Sequence, residues 1–384
     1  MRIDAVTLHR VRIPLKSGFR HALRDRKAAA AVVVAVRAED GTVGHGEIVP
    51  RAYLTGETLE TVLAREAPAL ARAWLGTSFH DADEVVDWLR RRLEQADRAL
   101  ATLAGFELAT LDLAGRYWGR AIHEILGWSP GPQLPPGVVI GFDVATDALP
   151  RHCALLRLMG KRHVKVKVGL DDDEARLEAV FGALDGHARI RIDANGAWRA
   201  AQAVAKLSAW RRFDIRSVEQ PVPAHDLAGM RQVREMTGVP VMADESLCSL
   251  TDARRLIGAR AADVFNVRVG KCGGLLGCAR IVELARSHGI ARHLGALVAE
   301  TGILSKAGEI LGRCHDGFEC LEGKSQNRFL LDQDVVEPAA AAHGGAERGL
   351  GLEVRMDRVA DYAVSAPVVF ERSSTARPCA ERTQ

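Results

Sequence analysis

Apolar and polar residues alternate over residues 3–13 and 29–37, and a Glu39-Asp40-Gly41 turn leads into a third alternating stretch at 42–48. This pattern predicts three antiparallel strands. The period then lengthens. Residues 58–75, 81–94 and 100–117 carry apolar side chains at three- and four-residue spacing with almost no Gly or Pro, which predicts helices. Strands followed by helices form an α+β unit, here a capping domain over residues 1–125.

From about residue 126 short β-rich runs alternate with helical ones. Strands are expected at 138–144, 163–168, 190–193, 217–220, 241–244, 264–269, 293–298 and 318–321. Lys167, Asp193, Glu219 and Asp244 stand at successive strand ends, 26, 26 and 25 residues apart, a step that suits one βα unit. The fold class is therefore α/β, a modified TIM (β/α) barrel over residues 126–330 whose chemistry lies at the C-terminal strand ends. An open doubly wound sheet is the rival, but no Gly-x-Gly-x-x-Gly follows a first strand. Residues 331–372 are expected to return to the cap, and 373–384 to form a mobile tail.

Composition narrows the function. The 384 residues are 47% hydrophobic and 26% charged, as in an ordinary globular protein, with a net charge of only +3, so charge does not predict nucleic-acid binding. The longest apolar run, residues 28–36, is half of what a membrane helix needs, and Arg2, Asp4, His9, Arg10 and Arg12 crowd the start. Neither a membrane span nor a secretory signal is expected. The seven cysteines include no Cys-x-x-Cys pair and are odd in number, which fits a reducing cytoplasm.

Three carboxylates at consecutive strand ends, Asp193, Glu219 and Asp244, suit a hard divalent cation, Mg²⁺ with Mn²⁺ as the alternative. The bland reading, helix caps after strands, explains one such Asp better than three at this spacing. Alternation along 163–168 points Lys165 and Lys167 inward. A like charge and a bound cation would lower the pKa of Lys167 toward that of a general base. Asn195, Gln220 and Glu245 follow the carboxylates as supporting groups, or else as turn formers.

These residues resemble the enolase superfamily, and within it the muconate-lactonizing-enzyme subgroup that includes dipeptide epimerases and o-succinylbenzoate synthases. The resemblance rests on Lys165-Val-Lys167, Asp193-Ala-Asn195, Glu219-Gln220-Pro221, Ala243-Asp244-Glu245-Ser246 and Lys271-Cys-Gly273-Gly274, and covers residues 1 to about 335. It implies Mg²⁺ held by Asp193, Glu219 and Asp244, with Lys167 removing a proton α to a carboxylate; such sites stabilise an ene-diolate. It further implies substrate contacts from Arg20 and Arg24 in one cap loop, Arg51, Tyr53 and Thr55 in the next, and Glu300 and Glu322 after the last strands. The expected partner is a small-molecule carboxylate, with a homo-oligomer of the chain left open.

One position departs from the subgroup. Arg268 stands where the second catalytic lysine is found, in Asn266-Val-Arg268-Val-Gly-Lys271, and arginine stays protonated at neutral pH. Three readings stand at this point. One is one-base chemistry on Lys167, ending in cycloisomerisation or syn-elimination. The second is two-base racemisation or epimerisation with Arg268 or Lys271 on the other face. The third, a non-catalytic ligand-binding barrel, would not require the base and the carboxylate triad.

Overall fold

The computed structural model describes residues 1–21, 24–96, 98–323, 330–338 and 347–372; for residues 17–21 and 24–26 only the backbone is described. The expected tail at 373–384 lies outside the described residues. The cap opens with an antiparallel sheet of β1 (Ile3–His21), β2 (Arg24–Ala38) and β3 (Val43–Ile48). Both long strands extend beyond the alternating stretches. Their paired ends, Phe19 with Arg26 and Arg20 with Asp25, form an arm too polar to show an apolar face.

A single helix, Leu100–Trp118, crosses the sheet, and its first sixteen residues are all buried. Glycines permit that approach: a Cβ on Gly46 would lie 1.9 Å from the Gly105 carbonyl oxygen, and one on Gly44 would lie 2.1 Å from Leu113 N. The segment 58–75 is not the uniform α-helix its spacing suggests. A π turn, Val62–Glu66, separates Leu59–Thr61 from Ala67–Trp74.

Eight parallel strands close the barrel: β4 (Pro136–Ile140), β5 (His163–Lys167), β6 (Arg189–Asp193), β7 (Ile215–Glu219), β8 (Val241–Ala243), β9 (Val264–Val267), β10 (Ala291–Leu294) and β11 (Leu321–Glu322). Several end earlier than periodicity suggests, leaving functional residues on the loops. Thus β9 stops before Arg268, and β10 gives way to Gly295, where a Cβ would lie 2.4 Å from Asn266 Oδ1. Beyond the barrel, β12 (Val336–Pro338) pairs with β13 (Leu352–Val354), and β14 (Val368–Glu371) joins the cap sheet beside β1.

Buried carboxylates dock the cap on the barrel. Glu107, on the cap helix, accepts from Leu275 N (2.9 Å) and Leu276 N (2.8 Å), at the start of the barrel helix Gly274–Ser287. Glu47, on β3, accepts from Thr301 N (3.0 Å) and Thr301 Oγ1 (2.8 Å), at the start of Gly302–Cys314. Each satisfies backbone donors that a helix leaves unpaired at its N-terminus. Burial nevertheless raises the carboxyl pKa of Glu107 to about 8 and of Glu47 to about 7. The six cysteines among the described residues are free thiols, and no described helix is long and apolar enough to cross a membrane.

Candidate active site

Register brings the key side chains together. Lys167 pairs across β5–β6 with Asp193, and Asp193 pairs across β6–β7 with Glu219, so an ammonium and two carboxylates stand side by side at the strand ends. Asp244 follows β8 by one residue. It is positioned by Gln220, whose Oε1 accepts from Asp244 N and Ser246 N (both 3.1 Å) while its Nε2 donates to Ser246 Oγ (2.8 Å). Gln220 thus staples one loop to the next, and it does so from a left-handed backbone (φ 38°). Asn195 is likewise left-handed (φ 45°); its Oδ1 accepts from Lys167 and its Nδ2 donates to Glu245 Oε1 (3.0 Å). Non-glycine residues in that region carry strain that the surrounding bonds must hold.

Asp193, Glu219, Asp244 and Glu322 each face a cation. Lys167 Nζ lies 2.6 Å from Asp193 Oδ2 and 2.6 Å from Asn195 Oδ1. Lys165 Nζ contacts Asp193 Oδ2 and Glu219 Oε2, both at 3.2 Å, and Glu322 Oε1 at 2.5 Å. Arg268 reaches Asp244 Oδ2 (2.5 Å) and Glu219 Oε1 (3.2 Å), and Lys271 Nζ donates to Asp244 O (2.5 Å) and Oδ1 (2.8 Å). Burial opposes the charge on Lys165, but Glu219, Glu322 and Asp193 outweigh it and raise its pKa. Burial also opposes the charge on Arg268, and Asp244 and Glu219 lift its pKa well above the ordinary value.

A cavity of about 50 Å³ opens among these groups, lined by Lys165, Lys167, Asn195, Asp244, Glu245, Arg268 and Glu322. Tyr53 from the cap and Val139, Leu297, Val298 and Leu330 add apolar walls. Lys271 is fully buried and does not line it. Arg51 braces the rim by donating to Val298 O (3.1 Å). Glu300 is turned to its own loop, accepting from Leu297 N (2.8 Å) and Ser305 Oγ (3.0 Å), and is not among the lining residues. Thr55 is half-buried, with its Oγ1 atom enclosed and unpartnered. The side chains of Arg20 and Arg24 lie outside the described residues.

Sequence reasoning missed Arg191, His293 and Asn266. Arg191 and His293 both approach Glu322, Arg191 in a close ion pair and His293 at 3.5 Å. Asn266 Nδ2 donates to Glu219 Oε1 (2.8 Å). The signal was available: Arg191 stands two residues before Asp193 and Asn266 two before Arg268, so alternation turns each to the same side as its partner.

The donor set suits a hard cation. Asp193, Glu219 and Asp244 are all but inaccessible, and Glu245 Oε2 is buried beside them without a hydrogen-bond partner. Burial, with Asp244 and Asp193 close by, raises the Glu245 carboxyl to about 8. Among the described residues no three acidic, His or Cys side chains converge closely enough to hold a metal ion; Lys165, Lys167 and Arg268 pair with the carboxylates instead.

Known proteins place the chain. The description "Mandelate racemase / muconate lactonizing enzyme, N-terminal domain" matches residues 3–127, and "Enolase C-terminal domain-like" matches residues 148–358. An N-succinyl-L-Arg/Lys racemase of Bacillus cereus is 27% identical over 373 residues, 96% of this chain and 100% of the relative. Muconate cycloisomerase 1 of Rhodococcus opacus is 29% identical over 359 residues, covering 90% and 94% of the two chains. A dipeptide epimerase of Enterococcus faecalis, solved with Mg and the dipeptide L-Leu-L-Tyr, superposes with a TM-score of 0.82 at 27% identity, covering 92% of this chain and 100% of the other. The capped barrel and both matched halves lead to one statement: this chain belongs to the enolase superfamily, in its mandelate racemase and muconate-lactonizing branch.

Proposed function

We propose that the protein is a Mg²⁺-dependent isomerase or lyase in which Lys167 alone moves the proton α to a substrate carboxylate, and that the product is cyclised or eliminated. The observation that carries this reading is Arg268, whose guanidinium lines the cavity and is tied to Asp244 and Glu219. Bringing a guanidinium from above 12 to near 7 would take about 7 kcal/mol of environmental bias, and its carboxylate neighbours bias it the other way. Its fixed charge suits holding a carboxylate or stabilising the negative charge that develops on it.

Lys271 is a poor second base, since its ammonium is spent on Asp244 behind the cavity wall. Asp193, Glu219 and Asp244 would hold Mg²⁺, which supplies positive charge against the second negative charge on the substrate carboxylate. Lys167 takes the proton; Asn195 aims it. The apolar walls exclude water from that transfer. Glu322, already engaged by Lys165 and Arg191, favours a substrate with no free ammonium at that end of the cavity.

The second reading is a two-base racemase of an N-acyl amino acid, favoured by the full-length match to the N-succinyl-L-Arg/Lys racemase. Incubating each stereoisomer of an accepted substrate in D₂O separates the two. Wild type is expected to exchange or consume one isomer without inversion, and Arg268→Lys to gain inversion. Deuterium incorporation with inversion by the wild type would sink the one-base reading.

A further inference from the structure

The opposite end of the barrel, where β5, β6 and β7 begin, holds a cleft of about 740 Å³ ringed by Arg162, Arg189 and Arg216. Beside it lies a space of about 210 Å³ that shares Arg189 and Arg216 in its lining and is also lined by Arg191 and Arg292. Five arginines therefore line these two adjoining spaces, against two lining carboxylates, Asp214 and Glu319, with Arg191 also paired to Glu322. Glu319 is bound to Arg189 at 2.5 Å, and the exposed Asp316 lies 3.6 Å from Arg292. Arg162 donates only to the His187 carbonyl (3.0 Å), and the Arg216 side chain has no hydrogen bond or ion pair among the described residues.

Three further donors or acceptors are enclosed and unsatisfied here: Arg191 Nε, Arg292 Nε and His187 Nε2. Unpaired buried polar atoms cost stability, and like charges at one mouth repel. A solvated rim of arginines explains Arg162 and Arg216 by themselves. It does not explain Arg292, whose side chain is only 13% exposed and whose Nε atom faces no partner; Arg191, by contrast, is held from the catalytic side by Glu322.

We propose that this N-terminal mouth of the barrel binds a small molecule bearing a phosphoryl dianion, held between Arg162 and Arg216 with Arg292 beside them. Guanidinium forks match phosphoryl oxygens in pairs, and a cleft of this size admits a metabolite-sized ligand. The site is distinct from the Lys167 cavity, since Arg189 and Arg191 stand four and two residues before Asp193 on the same strand, at and toward its other end.

Glycerol 2-phosphate is a suitable probe because it has no carboxylate for the catalytic end. Calorimetric titration of the Mg²⁺-loaded protein should show one site. Arg216→Ala should weaken it about tenfold, the loss of one charge-assisted hydrogen bond, and Arg162→Ala/Arg216→Ala more. Tricarballylate, with three carboxylates and no phosphoryl group, serves as the second arm. Displacement of glycerol 2-phosphate only at large excess supports the assignment; tighter binding of tricarballylate overturns it in favour of a polycarboxylate. Equal affinity of wild type and Arg216→Ala, or no binding at millimolar ligand, overturns it altogether. Both arginines are exposed, and unchanged thermal unfolding of the unliganded variants separates lost binding from lost fold.

Discussion

On the β5 flank of the catalytic cavity, Lys167 sets an ammonium 2.6 Å from one carboxylate oxygen and 2.6 Å from the Asn195 amide oxygen. On the β9 flank, Arg268 sets a guanidinium 2.5 Å from Asp244 and 3.2 Å from Glu219. Both flanks are positive and buried, but an amine ordinarily titrates about two units closer to neutrality than a guanidinium does, and that difference is what the proposed one-base chemistry turns on. A pocket with equal bases on two faces has reason to invert its substrate. One with a base facing a permanent charge has reason to let the intermediate collapse in another way.

The largest effect that sharpens this contrast is loss of the β5 ammonium. Lys167→Ala should lower α-proton exchange by about a thousandfold, within the usual span for a positioned acid or base. Following the substrate α-proton by NMR in D₂O checks it; exchange within tenfold of wild type would move the base to the other flank. The next largest concerns the carboxylates shared by both flanks. Glu219→Gln removes a charge that Lys165, Arg268 and Asn266 all contact, and should weaken Mg²⁺ by at least the 10–100-fold typical of groups one step removed from a metal. Calorimetric titration with Mg²⁺ measures it, and equal affinities would take Glu219 out of the ligand set.

The β5 flank was the more legible in sequence. Lys167, Asp193 and Glu219 align because neighbouring parallel strands repeat at a nearly constant step, and alternation decides which side chains face in. The β9 flank shows its Arg268 in sequence, but not that the guanidinium lies on Asp244, since that contact depends on where β9 ends. Glu322 was legible as an acid at a strand end; its partners Lys165 and Arg191 come from strands more than a hundred residues away, so its effect on Lys165 was invisible. Gln220 acts through backbone donors of the next loop, which no side-chain pattern encodes. The arm of β1 and β2 was hidden for a different reason: Phe19-Arg20-His21 and Arg24-Asp25-Arg26 show no apolar alternation, and only pairing reveals it as a strand.

The smallest expected effect concerns how the flanks are anchored. After β5 the chain caps itself, with Asp173 accepting from Gly169 N (2.8 Å) and Leu170 N (3.0 Å). After β9 the cap domain does that work, through Glu107 on Leu275 N and Leu276 N. Burial raises Glu107 from its ordinary 4.5 to about 8, so between those values the folded protein keeps a proton that the unfolded chain has released. The folded state then binds more protons, and stability falls as pH rises from about 4.5 to about 8, levelling off above. One such group contributes a slope of up to about 1.4 kcal/mol per pH unit. Glu47, raised to about 7, and Glu245 and Glu300, each raised to about 8, add to the slope, so Glu107→Gln should flatten the curve without abolishing it. Urea midpoints across the window, wild type against Glu107→Gln, read this directly. Parallel curves would mean that Glu107 is ionised in the folded protein, its charge carried by the helix N-terminus it caps, and that the cap holds the Arg268 flank by an ionic contact and not by a neutral one.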